Sequence, residues 1–301
     1  MKSEIKALKT NLQGGLLPAM ATPLKEDGYT LNEPVIGRLV NFLLERGVTG
    51  LFVGGTTGEG ILLNPEQRKK LHATTLKAND GRVPVLIHVG SNSSMEGIEL
   101  ASHAQDIGAD GIIAVTPYFY GLHDSAILKY FASIAAACPK TPFFVYDIPH
   151  LAVNRVSPEL VKQIADTIPN FAGIKCSNVN AQEVVALLDV IPPDSIFLVG
   201  NEKIALGTLA LGADGHISGL ATAVPEPFVA LLQAFSRGDI AEARRNQRII
   251  IDILSYIPNG TRIGAIKSLL HQRDILVGPP VPPRPSPGPD WRAWDQIKTK
   301  I

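Results

Sequence analysis

Lys175 stands inside an apolar run, "FAGIKC" (171–176), whose other residues suit a buried strand. In water a lysine amine has a pKa of about 10.4, so at neutral pH it is a cation and no nucleophile. Burial disfavours the cation and lowers that pKa. The free amine can then attack a carbonyl and form a Schiff base, whose iminium draws electrons from the neighbouring carbon. Carbon–carbon bonds can be made or broken in this way without a metal. Taken alone, the run equally suits a lysine near a strand end that reaches back to solvent, so the other polar residues have to decide.

Schiff-base chemistry needs a proton shuttle beside the amine. Tyr146, in "VYDIP" (145–149), lies in the preceding apolar run. Adjacent strands are about 4.8 Å apart, so the phenol and the amine can meet. A core tyrosine with a satisfied hydroxyl is the plainer alternative. "GGTTGEG" (54–60) offers glycine N–H groups and the hydroxyls of Thr56 and Thr57, which suits the carboxylate of a 2-oxo acid. It also reads as an ordinary tight turn. No Lys-Ser/Thr follows its glycines, which argues against a nucleotide phosphate loop. His88, His150 and His216 are scattered, the first apolar run holds no His-x-His, and no metal or other cofactor is expected.

These residues must be positioned by repeated elements. Eight apolar runs end in turn residues: 15–23, 50–55, 83–90, 111–117, 142–149, 171–176, 195–201 and 215–220. They do not alternate apolar with polar, which fits strands buried on both faces of a parallel sheet. Segments with helical spacing lie between them. Asn32, Asn64 and Ser157 are expected N-caps, and Pro65 and Pro158 take first-turn positions. Eight such units predict a (β/α)8 TIM barrel, whose active site lies at the carboxyl ends of the strands. A doubly wound open sheet is weaker, because no G-x-G-x-x-G follows the first strand. Residues 226–275 carry more helix than one unit needs. The expected division is an N-terminal extension (1–12), the barrel (13–235) and a small C-terminal helical domain (236–301). That domain ends in a proline-rich strap within "VGPPVPPRPSPGPDW".

Composition narrows the functional classes. The chain has 301 residues, 45% of them hydrophobic, with 28 basic residues against 28 acidic ones. It is long enough for one large core and lacks the basic surplus that nucleic acid or an anionic membrane would require. Two cysteines cannot build a disulfide framework or a four-ligand zinc site. No apolar stretch has the length of a membrane span or of a signal-peptide core. A cytoplasmic location is expected.

The ordered motifs "GTTGE" (55–59), "VTPYFY" (115–120), "VYDIP" (145–149), "GIK" (173–175) and "LGADGHISG" (211–219) resemble those of the pyruvate-dependent class I aldolase family. That family includes dihydrodipicolinate synthase, N-acetylneuraminate lyase and 2-keto-3-deoxygluconate aldolase. The resemblance runs over roughly residues 13–300. It implies a Schiff base between Lys175 and pyruvate, a proton shuttle at Tyr146, and a carboxylate held by Thr56 and Thr57, with Thr57 also in the relay. It also implies an aldehyde as second substrate and a homotetramer built as a dimer of dimers. In that assembly the 116–120 loop reaches toward a neighbour's site. Ser177, Asn201, Glu202 and Ser218 are then expected to face a polyhydroxylated acceptor, and Tyr118 is expected among the substrate contacts.

Two positions depart from the synthase pattern. Leu151 stands where the synthase carries a carboxylate-gripping arginine, which turns the expectation toward a 2-keto-3-deoxy sugar acid or a sialic-acid-like compound. Phe119 stands where the synthase relay has a second tyrosine. A synthase, a dehydratase of a 2-keto-3-deoxy acid, and a non-catalytic 2-oxo-acid-binding protein are the alternatives.

Overall fold

Each apolar run becomes a strand: β1 Gly15–Pro18, β2 Leu51–Val53, β3 Val85–His88, β4 Gly111–Val115, β5 Phe143–Asp147, β6 Phe171–Cys176, β7 Ile196–Val199 and β8 Gly215–Ser218. The computed structural model describes residues 1–288 and 290–301. All strand pairs are parallel, in the order β1-β8-β7-β6-β5-β4-β3-β2. A bridge between Ala19 and Phe52 and the Met20 N–H donated to the Phe52 carbonyl at 2.9 Å complete the seam between β1 and β2. The result is the TIM barrel that the eight units predict. Apart from β6, which spans its whole run, the strands are shorter than the apolar runs, because each of those runs continues past its strand into the loop at the carboxyl end.

Helix α1 (Lys2–Leu12) precedes the barrel, and α2 (Glu33–Leu44), α3 (Pro65–Asn79), α4 (Ser94–Asp106) and α5 (Asp124–Ala136) follow the first four strands. The single turn α6 (Pro149–Ala152) and then α7 (Pro158–Thr167) follow β5. Helices α8 (Ala181–Val190), α9 (Ala205–Ala210) and α10 (Glu226–Ser236) finish the ring, and α11 (Ile240–Ser255), α12 (Arg262–His271) and α13 (Trp294–Ile297) come after it. Asn64 and Gln67 form a reciprocal capping box, and the Ser157 hydroxyl accepts from the Leu160 N–H. Asn32 occupies the N-cap position of α2, but its side chain makes no capping bond. No helix of the described residues is long and apolar enough to cross a membrane.

Two apolar clusters hold the fold. The larger lies between the strands and the helical ring. The smaller fills the barrel lumen, where Leu17, Phe52, Leu86, Phe144, Leu198 and Ile217 pack together. Ile5, Leu8 and Leu12 of α1 belong to this lumen cluster. The N-terminal helix therefore buries its apolar side against the amino-terminal end of the barrel. At the chain's other end, the proline-rich run is tied to the barrel's loops. The Leu24 N–H donates to the Val277 carbonyl at 2.8 Å, and the Val281 N–H donates to Glu59 Oε1 at 2.9 Å. Pro289, within that run, lies outside the described residues.

Strand β6 carries the local feature that matters most. Phe143 of β5 pairs with Phe171 of β6, but Phe144 pairs with Gly173, so Ala172 is an extra residue in β6. Such a bulge reverses the in–out parity of every later residue on its strand. Without it, Lys175 would share the outward face of Phe171. With it, Ile174 and Cys176 join the outer core, and Lys175 pairs with Tyr146 on the lumen side. Gly173 has φ +156°, and a Cβ there would come within 1.9 Å of the Ile196 carbonyl oxygen on β7. Replacing Gly173 with alanine is therefore expected to cost about 3 kcal/mol or more in unfolding free energy. Denaturant titration measures this, and an unchanged midpoint would show that the bulge tolerates a side chain.

Candidate active site

Four side chains converge at the carboxyl end of the lumen. Lys175 is 3% exposed, with Nζ 3.4 Å from the Tyr146 ring centroid and 4.7 Å from that of Phe52. Its recorded hydrogen bond is a long one, 3.5 Å to Ser177 Oγ, and among the described residues no carboxylate forms an ion pair with it. Burial lowers its pKa from the usual lysine value, and the neighbouring Tyr146 only partly opposes this. The two aromatic faces supply some cation–π attraction but no counter-charge. The amine is thus biased toward its neutral, nucleophilic form.

Tyr146 is 2% exposed, and its hydroxyl lies 3.2 Å from Thr56 Oγ1. Amine, phenol and threonine hydroxyl therefore stand in sequence across β6, β5 and the loop after β2. Thr57 lies beside them, also on the wall of the cavity described below. That loop is folded tightly on itself: Gly60 has no room for a Cβ, which would come within 1.9 Å of the Gly54 carbonyl oxygen. The Thr22 hydroxyl donates to the Gly58 carbonyl. Glu59, fully buried and with φ +56°, anchors the far side of the loop. Its carboxylate pairs with buried Lys267 of α12 at 2.9 Å and accepts the Val281 N–H of the proline-rich run. Burial lowers the Lys267 pKa, with Glu59 opposing.

A cavity of about 730 Å³ opens from this cluster. Ser177, Asn201, Leu151 and Glu202 line it along with Lys175 and Tyr146, as do Leu254 near the end of α11, Ile257 in the segment that follows it and Arg262 at the start of α12. Leu151, on α6, is 57% exposed and makes this part of the wall apolar. Asn201 also caps the turn after β7, accepting the Lys203 N–H at 3.2 Å.

Two expected contacts lie elsewhere. The Ser218 side chain is fully buried and does not reach the cavity, because its hydroxyl donates to Glu202 Oε1 at 2.7 Å and accepts the Ala221 N–H at 2.9 Å. Tyr118 is half-buried away from the cavity wall, its N–H donated to Asn92 Oδ1 at 2.7 Å. Phe119 and Tyr120 are 75% and 70% exposed, and Phe119 has φ +79°. Neither reaches the lysine of its own barrel. The Glu202 carboxylate is pulled toward neutrality by burial, but Arg262, the Leu220 N–H and the Ser218 hydroxyl outweigh this and lower its pKa.

Sequence reasoning missed Phe52, Glu59, Lys267 and Arg262. Phe52 looks like any strand residue. Glu59 and Lys267 are more than two hundred positions apart, and Arg262 sits in a stretch read only as helix.

The family model described as the dihydrodipicolinate synthetase family matches residues 12–286. The chain is 30% identical over 269 residues to the 4-hydroxy-tetrahydrodipicolinate synthase of Methanopyrus kandleri, covering 89% of each chain. It is 32% identical over 270 residues to YagE of Escherichia coli K12, a putative 2-dehydro-3-deoxy-D-gluconate aldolase, covering 89% of this chain and 88% of that one. The structure of YagE in complex with pyruvate overlays with a TM-score of 0.84 at 30% identity, covering 95% of this chain and 96% of that one. The wild-type sialic acid aldolase of Ruminococcus gnavus overlays with a TM-score of 0.89 at 27% identity, covering 96% of both chains.

Because Lys175 is buried without a counter-ion, its replacement by methionine should stabilise the fold at neutral pH. Between the lowered folded pKa and the unfolded value the unfolded chain binds more protons, so wild-type stability rises with pH through that window. The advantage of Lys175→Met should therefore shrink as pH approaches 10.5. Denaturation midpoints at several pH values measure this. The Glu59–Lys267 pair should behave oppositely, since removing one partner strands a buried charge. Lys267→Met is expected to cost about 3–5 kcal/mol by the same measurement.

Proposed function

The chain belongs to the dihydrodipicolinate synthetase family, and from that premise we propose that it makes or breaks a carbon–carbon bond between pyruvate and an aldehyde through a Schiff base on Lys175. The family's activities are those of lyases and synthases, so a lyase role follows at that level. The observation that carries the reading is the buried lysine amine, free of carboxylate partners, lying against Tyr146, whose hydroxyl reaches Thr56.

The steps follow from that arrangement. The neutral amine of Lys175 attacks the ketone carbon of pyruvate, and loss of water leaves an iminium. Thr56 and Thr57 hold the pyruvate carboxylate with hydroxyl and loop N–H donors. Tyr146, left as the phenolate after giving its proton to the departing water, takes a proton from the adjacent methyl carbon, and the resulting enamine attacks the aldehyde carbon, forming the new bond. Tyr146 gives its proton to the oxygen that was the aldehyde's and recovers one from the relay through Thr56. Hydrolysis of the iminium then frees the product and the lysine. Cleavage is the same sequence reversed, with Tyr146 taking the hydroxyl proton. Phe119 has no hydroxyl, so beyond Thr56 the relay continues through Thr57 or water.

The substrate that fits best is a 2-keto-3-deoxy sugar acid or a sialic-acid-like compound. Leu151 makes its wall apolar, which disfavours a second substrate gripped there by its carboxylate, as the synthase alternative requires. We place the enzyme in the cytoplasm, as a homotetramer in which the exposed Phe119 and Tyr120 meet a neighbouring subunit. The barrel ends near residue 235, and the helical segment 236–301 serves as a separate wall-forming unit.

Intact mass after incubation with pyruvate and borohydride tests the proposal. One reduced pyruvyl group should appear on the wild-type chain and be absent from Lys175→Ala. Tyr146→Phe should still trap the adduct, while turnover with an aldehyde falls by roughly 10²–10⁴-fold. An adduct on Lys175→Ala would assign the chemistry to another lysine.

A further inference from the structure

One stretch of the cavity wall is built around Glu202. Glu202 is the only carboxylate among the described residues that line the cavity, and its lone pairs are committed. Oε1 accepts the Ser218 hydroxyl at 2.7 Å and the Leu220 N–H at 2.9 Å, and Oε2 accepts from Arg262. Three of a carboxylate's roughly four acceptor sites are thus filled from the protein side. Sugar hydroxyls would find little there to donate to.

Donors are in surplus. Arg262, the first residue of α12, lines the cavity with 46% of its side chain exposed. A guanidinium carries five N–H donors, and among the described residues this one donates only to Glu202. Lys203 lines the same wall and has no ion pair among the described residues. Two cations thus face one compensated carboxylate, so this wall carries an excess of positive charge. Leu151, Leu254 and Ile257 border it with apolar surface, which lowers the local dielectric and strengthens any ion pair formed. The planar fork of Arg262 can meet a carboxylate or phosphate with two parallel hydrogen bonds.

We infer that Arg262 and Lys203 form an anion subsite selecting acceptors whose far end carries a negative group. This rests on the proposed Schiff-base reading and narrows its substrate to those 2-keto-3-deoxy acids that carry a second negative group distal to the reacting carbons. Glu202 holds the guanidinium in place while the site is empty.

Calorimetric titration with paired ligands tests this. The pairs are 2-oxo diacids of five, six and seven carbons and the monoacids of the same chain length. At one or more lengths the diacid should bind at least ten-fold tighter than its partner. Arg262→Leu should cut that ratio at least five-fold, and Glu202→Gln, which removes the competing internal carboxylate, should raise it. Equal affinities at every length, or a ratio that survives Arg262→Leu, would overturn the subsite. Phosphorylated against unphosphorylated aldehydes in the turnover assay separate a phosphate preference from a carboxylate one. Failure of the Schiff-base reading shows separately, as no borohydride-trapped adduct with any of these ligands, and leaves the calorimetric ratios to judge the subsite.

Discussion

One extra residue in β6 sets where the lysine points. A strand's side chains alternate strictly, so Lys175 can face the lumen only if the parity set by Phe171 is broken before it. The bulge at Ala172 and Gly173 breaks it, and only a glycine fits beside the Ile196 carbonyl. Everything else at the site follows from that turn: the aromatic faces of Phe52 and Tyr146 around the amine, the want of a counter-ion, and the lowered pKa. The cost of burying an unpaired amine falls on stability and is carried by a large apolar core around it. Active sites commonly hold groups that a more stable protein would replace.

The second partner in the chemistry, the loop after β2, is held from outside the barrel. Glu59 sits between Lys267 of α12 and the N–H of Val281, so the loop bearing Thr56 and Thr57 is fixed by segments from the last forty residues of the chain. A buried pair of this kind contributes little net stability beside an apolar substitute, but it penalises any rearrangement that separates its members. The helices after the barrel thus do two jobs: α12 pins the loop that bears Thr56 and Thr57 and, through Arg262, lines the cavity.

Much of this was legible in the sequence. The eight apolar runs specify a parallel sheet because buried strands need apolar residues on both faces. Their number and the helical segments between them specify closure. Lys175 and Tyr146 stand out chemically because polar groups are expensive within such runs. Thr56 and Thr57 stand out because glycines flank them. Ser218 was misjudged for a physical reason: a hydroxyl at a strand's carboxyl end can face the lumen or bind the next loop, and only the position of Glu202 decides which. The place of Tyr118 off the cavity wall was not legible either, because the contact between its N–H and Asn92 joins two separate loops.

The sequence by itself determined the architecture and the chemical type of the site, since both follow from residue type, local periodicity and order along the chain. Tertiary structure alone decided which way the lysine points, which carboxylate is already satisfied, and which distant cation completes the wall. Those depend on one bulged residue and on contacts between positions such as Glu59 and Lys267 or Glu202 and Arg262, brought together by chain closure. No local pattern encodes a meeting of that kind, because its energy exists only once both partners have left water.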